Sequence, residues 1–169
     1  MTLIDDSGPP IPDDNVLARC LQQIWRDLWG ADEAIPAACT GCFDENGDGF
    51  EALPAFLTDQ YPDAHFGLVS STGDEVIRIF FGYGDNDCRG AITIDERDYR
   101  QGLLNLRDDL LAPTEQWASF LVGGMDRDQR TNHVWLMPDA DYVETEIEGA
   151  NVQSWVGDLL EGNLAHIGP

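Results

Sequence analysis

Phe66-Gly67-Leu68-Val69-Ser70-Ser71-Thr72-Gly73-Asp74-Glu75-Val76-Ile77-Arg78-Ile79-Phe80-Phe81 is the stretch on which the reading of this chain turns. It begins as a continuous apolar run of strand length, the pattern of a strand covered on both faces. Ser71-Thr72-Gly73 breaks the run. Asp74 then stands where a helix N-cap belongs, ahead of the apolar-rich segment Val76–Phe81. A strand that passes through a short turn into a helix is half of a βαβ unit.

Two further apolar runs, Thr2-Leu3-Ile4 and Ser119-Phe120-Leu121-Val122, read as buried strands, and helical patterns lie between the runs. Val16, Leu17, Cys20, Leu21, Ile24, Trp25 and Leu28 share a helix face that starts after Asp13 or Asp14 and stops at Gly30. Tyr99, Leu103, Leu106 and Leu110 form a second face behind the acidic start Asp95-Glu96. Val152, Trp155, Val156, Leu159 and Leu160 form a third, capped by Asn151. Strands alternating with helices predict an α/β fold, a three-layer parallel-sheet domain over residues 1–169. Segments 31–65 and 84–95, rich in Gly, Asp and Cys, read as long loops. The first strand begins at the first residue, and three parallel strands leave two open edges. The expectation is the C-terminal portion of a larger domain, with an open edge through which two copies could pair as a homodimer.

Composition narrows the partners. Thirty-two acidic residues face nine basic ones, a net charge of −23. Every base is arginine. Such a field repels phosphate backbones and anionic lipid surfaces, which argues against nucleic acid and membrane as partners. No apolar run approaches the roughly 20 residues that span a bilayer, and the first residues do not read as a signal peptide. Four cysteines, Cys20, Cys39, Cys42 and Cys88, allow two disulfides in three connectivities. Cys39-x-x-Cys42 could also open a zinc site, but no second C-x-x-C completes it. Disulfides are the favoured reading, and they imply a secreted or periplasmic setting.

The chemistry-bearing candidates are an acid and a histidine. Asp74 follows the second strand, and His133 follows the third. In an open α/β sheet, functional side chains gather beyond the carboxyl ends of the strands. An acid followed in the chain by a histidine is the order an α/β-hydrolase shows after its nucleophile. The plainer alternatives are a helix cap for Asp74 and an unengaged loop residue for His133. His65 lies at the opposite strand end, and His166 lies in the tail.

Several segments together resemble the pectin acetylesterase family: Leu3-Ile4-Asp5-Asp6-Ser7-Gly8-Pro9-Pro10, Cys20-Leu21-Gln22-Gln23-Ile24-Trp25, Ser70-Ser71-Thr72-Gly73-Asp74-Glu75-Val76-Ile77-Arg78 and His166-Ile167-Gly168-Pro169. The resemblance runs over most of the chain and is strongest in the first 25 residues and in 66–88. It implies an α/β-hydrolase-type serine esterase acting on an acyl or acetyl ester of a polysaccharide or small molecule, with no cofactor. It also implies Asp74 as the orienting acid and His133 as general base, then acid. The departure is the nucleophile. The family's Gly-x-Ser-x-Gly-type elbow is absent from this chain. Ser7 stands at a strand end but is followed by Gly-Pro-Pro, so no helix starts there. Trp135, just past His133, is the candidate for lining a substrate pocket.

The alternative function is a calcium-binding or interaction module. Asp44, Asn46 and Asp48 open a loop at 44–55 like a calcium loop, but Ala55 stands where the bidentate Glu belongs. Asp85, Asp87 and Glu96 fit the loop at 85–96, which carries Arg89 at a ligand position.

Overall fold

The computed structural model of the chain describes residues 1–43, 49–123, 132–137 and 140–169, apart from the side chains of Asp85 and Ala140. The loop residues Asp44, Asn46 and Asp48, and the stretch 128–131 ahead of His133, lie outside the described residues.

The elements run β1 (Thr2–Asp6), α1 (Arg19–Trp29), α2 (Ala31–Ala34), α3 (Leu53–Gln60), β2 (His65–Ser71), α4 (Glu75–Phe81), α5 (Glu96–Asn105), β3 (Trp117–Val122), α6 (Ala140–Glu144), β4 (Glu146–Ile147), β5 (Ala150–Asn151), α7 (Val152–Glu161) and β6 (His166–Ile167). Short 3₁₀ turns lie at Thr40–Cys42, Phe50–Ala52 and Gly84–Asn86, and a π-helical turn, Leu106–Leu111, continues α5. Four strands form one parallel sheet in the order β1-β2-β3-β6. Phe66 lies opposite Leu3 on one side and Trp117 on the other, and Val69 opposite Asp6 and Phe120. β4 and β5 form a separate antiparallel pair.

The two central strands sort their side chains by period two onto opposite faces. Phe66 and Leu68 of β2, with Trp117 and Leu121 of β3, meet Leu17, Leu21, Phe81, Tyr99 and Leu103 on one face. Val69 of β2, with Ala118, Phe120 and Val122 of β3, meets Val152, Trp155 and Leu159 of α7 and Trp135 on the other. Helices therefore cover both faces, as the continuous apolar runs require. Gly67 lets α7 come close, since a Cβ there would meet Leu159 Cδ2 at 2.7 Å and the Trp155 ring at 2.9 Å.

The structure departs from the sequence expectations in several places. The sheet has a fourth strand, because His166 and Ile167 pair with Ser119 and Phe120 instead of trailing as a tail. β1 is an edge strand, and its Leu3 is 47% exposed rather than buried. α1 starts at Arg19, not after Asp13 or Asp14. The Asp13 carbonyl accepts from Val16 N–H and Leu17 N–H in a separate turn that buries both side chains. Segment 31–65 holds α2 and α3 as well as loop.

The cysteines pair as Cys20–Cys88 and Cys39–Cys42. The first bond ties α1 to the turn after α4. Nearby, the buried Arg26 guanidinium donates to the Cys42 carbonyl at 2.6 Å, pairs with Asp32 and stacks over the Phe50 ring 4.5 Å from its centre. Among the described residues, no helix is long and apolar enough to cross a membrane.

Candidate functional site

The site is built where β1, β2 and β3 end. β2 gives way to the turn Thr72-Gly73, whose Thr72 N–H donates to the Val122 carbonyl at 2.7 Å. That pairing carries Asp74 to the N-cap position just ahead of α4, fully buried. Its Oδ1 accepts from the Ile77 N–H at 3.0 Å, an N-cap bond. Its Oδ2 accepts from His133 Nδ1–H at 3.0 Å. An ionised carboxylate only accepts, so the proton on that bond sits on His133 Nδ1. The imidazole is one-third exposed. With Nδ1 engaged, Nε2 is the nitrogen left for proton transfer. The two residues singled out in the sequence thus lie in hydrogen-bond contact across 59 residues of chain.

Three groups that sequence reasoning passed over hold the histidine in place. Ser71, the last residue of β2, donates its hydroxyl to the Asn132 carbonyl at 2.6 Å and accepts from the Trp135 indole N–H at 3.0 Å. Asp6, the last residue of β1, accepts from the Trp135 N–H at 2.8 Å and the Leu136 N–H at 2.9 Å. Ser7 accepts from the Val134 N–H at 3.3 Å. An acid at the carboxyl end of a neighbouring strand was the available signal, but its partners lie 129 and 130 residues away. Ser7 and Val134 both have left-handed backbone, φ 69° and 71°. That conformation is a genuine outlier for a β-branched residue such as Val134.

Trp135 is 1% exposed and packs against Val69, Phe120 and their neighbours, so its ring anchors the turn in the core. An apolar cleft of about 410 Å³ lies on the other side of the β1 end. Pro9, Pro10, Trp25, Trp29, Ile77 and Phe80 contribute to its wall; Asp74, His133 and Trp135 do not. Asp5 also faces this cleft. Burial raises its carboxyl above the ordinary value of 3.8, the Gly8 N–H opposes that rise, and the neighbouring Asp6 charge adds to it.

All five serine hydroxyls are engaged. Ser7 donates to Asp6, Ser70 lies 3.4 Å from the Tyr99 hydroxyl, and Ser71 serves Asn132 and Trp135. Ser119 lies 3.0 Å from His166 Nδ1, and Ser154 closes a capping box with Asn151. Burial drives the Tyr99 hydroxyl well above its ordinary range. His166 is pushed below 6.5, by burial first and then by Arg107.

Of the calcium-type candidates, Asp87 pairs with Arg89 at 3.5 Å and Glu96 with Arg78 at 3.6 Å. Asp44, Asn46, Asp48 and the Asp85 side chain are not described. Among the described residues, no three His, Cys, Asp or Glu side chains group as a metal site.

The site therefore offers a buried carboxylate, an imidazole oriented by it and a firmly held turn, an arrangement suited to moving one proton to and from a reacting oxygen. The chain matches no protein-family model, no curated protein and no solved structure.

Proposed function

We propose that this chain carries the acid–base half of a serine-type carboxylic ester hydrolase, acting on an acyl or acetyl ester of a small molecule or polysaccharide. The observation that carries the reading is the buried Asp74 carboxylate, 3.0 Å from His133 Nδ1 beyond the carboxyl ends of a parallel sheet. Asp74 fixes the tautomer and faces the imidazolium that forms. His133 Nε2 takes a proton from the attacking hydroxyl and returns it to the leaving alcohol. The nucleophile is a serine from outside this sequence, since no serine here stands in a Gly-x-Ser-x-Gly elbow. The resemblance to pectin acetylesterases supports the same reaction class, and two disulfides suit a secreted or periplasmic protein.

Hydrolysis of para-nitrophenyl acetate, an ester with an activated leaving group, tests the pair on this chain alone. A slow rate above buffer is expected, falling about 10²-fold or to the buffer rate in His133→Ala and Asp74→Asn. A fluorophosphonate probe is expected to leave all five serines unlabelled. Equal rates for the parent chain and His133→Ala would overturn the assignment, and a labelled serine would place the nucleophile inside the chain.

A further inference from the structure

The end of β1 is the second support of the His133 turn, and nothing in the proposed reaction requires it to be polar. Asp6 nevertheless gathers three donors, the N–H groups of Trp135 and Leu136 and the Ser7 hydroxyl, the last at 3.2 Å. Ser7 itself takes the Val134 N–H. Three consecutive backbone N–H groups, 134 to 136, thus end on two adjacent side chains, the last of β1 and the residue after it. Val134, immediately after His133, has φ 71°. A β-branched residue enters that region only when its surroundings over-determine it. On the other side, Ser71 at the end of β2 holds the Asn132 carbonyl and the Trp135 indole. His133 is thus suspended between a β1 clamp and a β2 clamp, with its side chain aimed at Asp74.

The geometry points to Asp6 as a positioning residue: its carboxylate, with Ser7, holds the 134–136 turn, with Val134 in its left-handed conformation, so that His133 Nδ1 is brought onto Asp74. This inference rests on the Asp74–His133 reading above and adds the residue that keeps the pair assembled. Asp6 acts only through the turn. Without its carboxylate, Trp135 and Leu136 lose their acceptor, Val134 relaxes toward ordinary backbone, and the imidazole swings away from Asp74. The tautomer that Asp74 selects is then lost, because the tautomer of a histidine is set by the partner of its other nitrogen.

The test is the tautomer of His133 in the ¹⁵N-labelled chain, read from two-bond nitrogen–proton correlations at about pH 8, above the ordinary imidazole value of about 6.5. The resonance is assigned by its loss in His133→Ala. The parent chain is expected to show the Nδ1–H tautomer, and Asp74→Ala the mixture of a free imidazole. Asp6→Ala is expected to match Asp74→Ala while the Ser119–His166 signals stay in place. Retention of the Nδ1–H tautomer in Asp6→Ala would overturn the proposal. If Asp6→Ala does not fold, Asp6→Asn and Ser7→Gly each remove part of the clamp. A shift toward the free mixture in either supports the proposal, and the parent tautomer in both overturns it. A free mixture in the parent chain refutes the Asp74–His133 pair, and this inference with it. The readout does not depend on turnover, so a wrong reaction assignment leaves it intact.

Discussion

Asp74 divides its two carboxylate oxygens between a helix cap and a histidine. Oδ1 caps α4 through Ile77 N–H, and Oδ2 receives His133. The cap that the sequence offered is thus present, and the same side chain also reaches the histidine. Position at a strand end was enough to nominate Asp74 and His133. Asp6 and Ser7 were not legible as supports of His133, because what they hold is backbone far along the chain, and main-chain donors leave no mark in a sequence. Asp5, next to them, supplies a prediction. Its carboxyl is raised by burial, so the native chain binds more protons than the unfolded chain between 3.8 and the raised value. The stability from this group is complete below 3.8 and is lost as pH climbs through the raised value. Asp5→Asn keeps an oxygen for the Gly8 N–H and cannot ionise. Its thermal midpoint is expected to exceed that of the parent chain at neutral pH, with the gap closing toward 3.8; a gap independent of pH would sink the argument.

At the scale of elements, long apolar runs were legible and short pairings were not. The two-residue strands β4, β5 and β6 are too brief to show a period. The start of α1 was misplaced because Val16 and Leu17 fit the helical spacing yet belong to a turn closed by Asp13. Asn151 was read as a cap and does cap α7, where its side chain accepts from Ser154 N–H at 2.9 Å. The seat of that helix on β2 depends on Gly67. Gly67→Ala would drive a methyl group into Leu159 and Trp155. Overpacking of a filled core costs about 1–3 kcal/mol, so the denaturation midpoint should fall accordingly. An unchanged midpoint would mean that α7 can back away from the sheet.

Across the whole molecule, two features stand out: a charge of −23 and a crosslink that spans 68 residues. The Cys20–Cys88 bond closes a far longer loop than Cys39–Cys42 and constrains the unfolded chain correspondingly more. The double substitution Cys20→Ala/Cys88→Ala is expected to destabilise by about 4 kcal/mol, and Cys39→Ala/Cys42→Ala by much less. Urea titration of the two variants checks this ranking, and the reverse order would contradict it. The contacts of Asp6 and Ser7 join positions 127 to 130 residues apart. Contacts that close such long loops form slowly. If β1 docked one residue out of step, Asp6 would point to the opposite face of the sheet. The imidazole consequently reaches its partner only after the end of β1 and the distant 134–136 turn have found each other. A misthreaded or half-assembled chain would keep its helices and disulfides yet be chemically silent, so any rate that depends on His133 is also a gauge of finished folding.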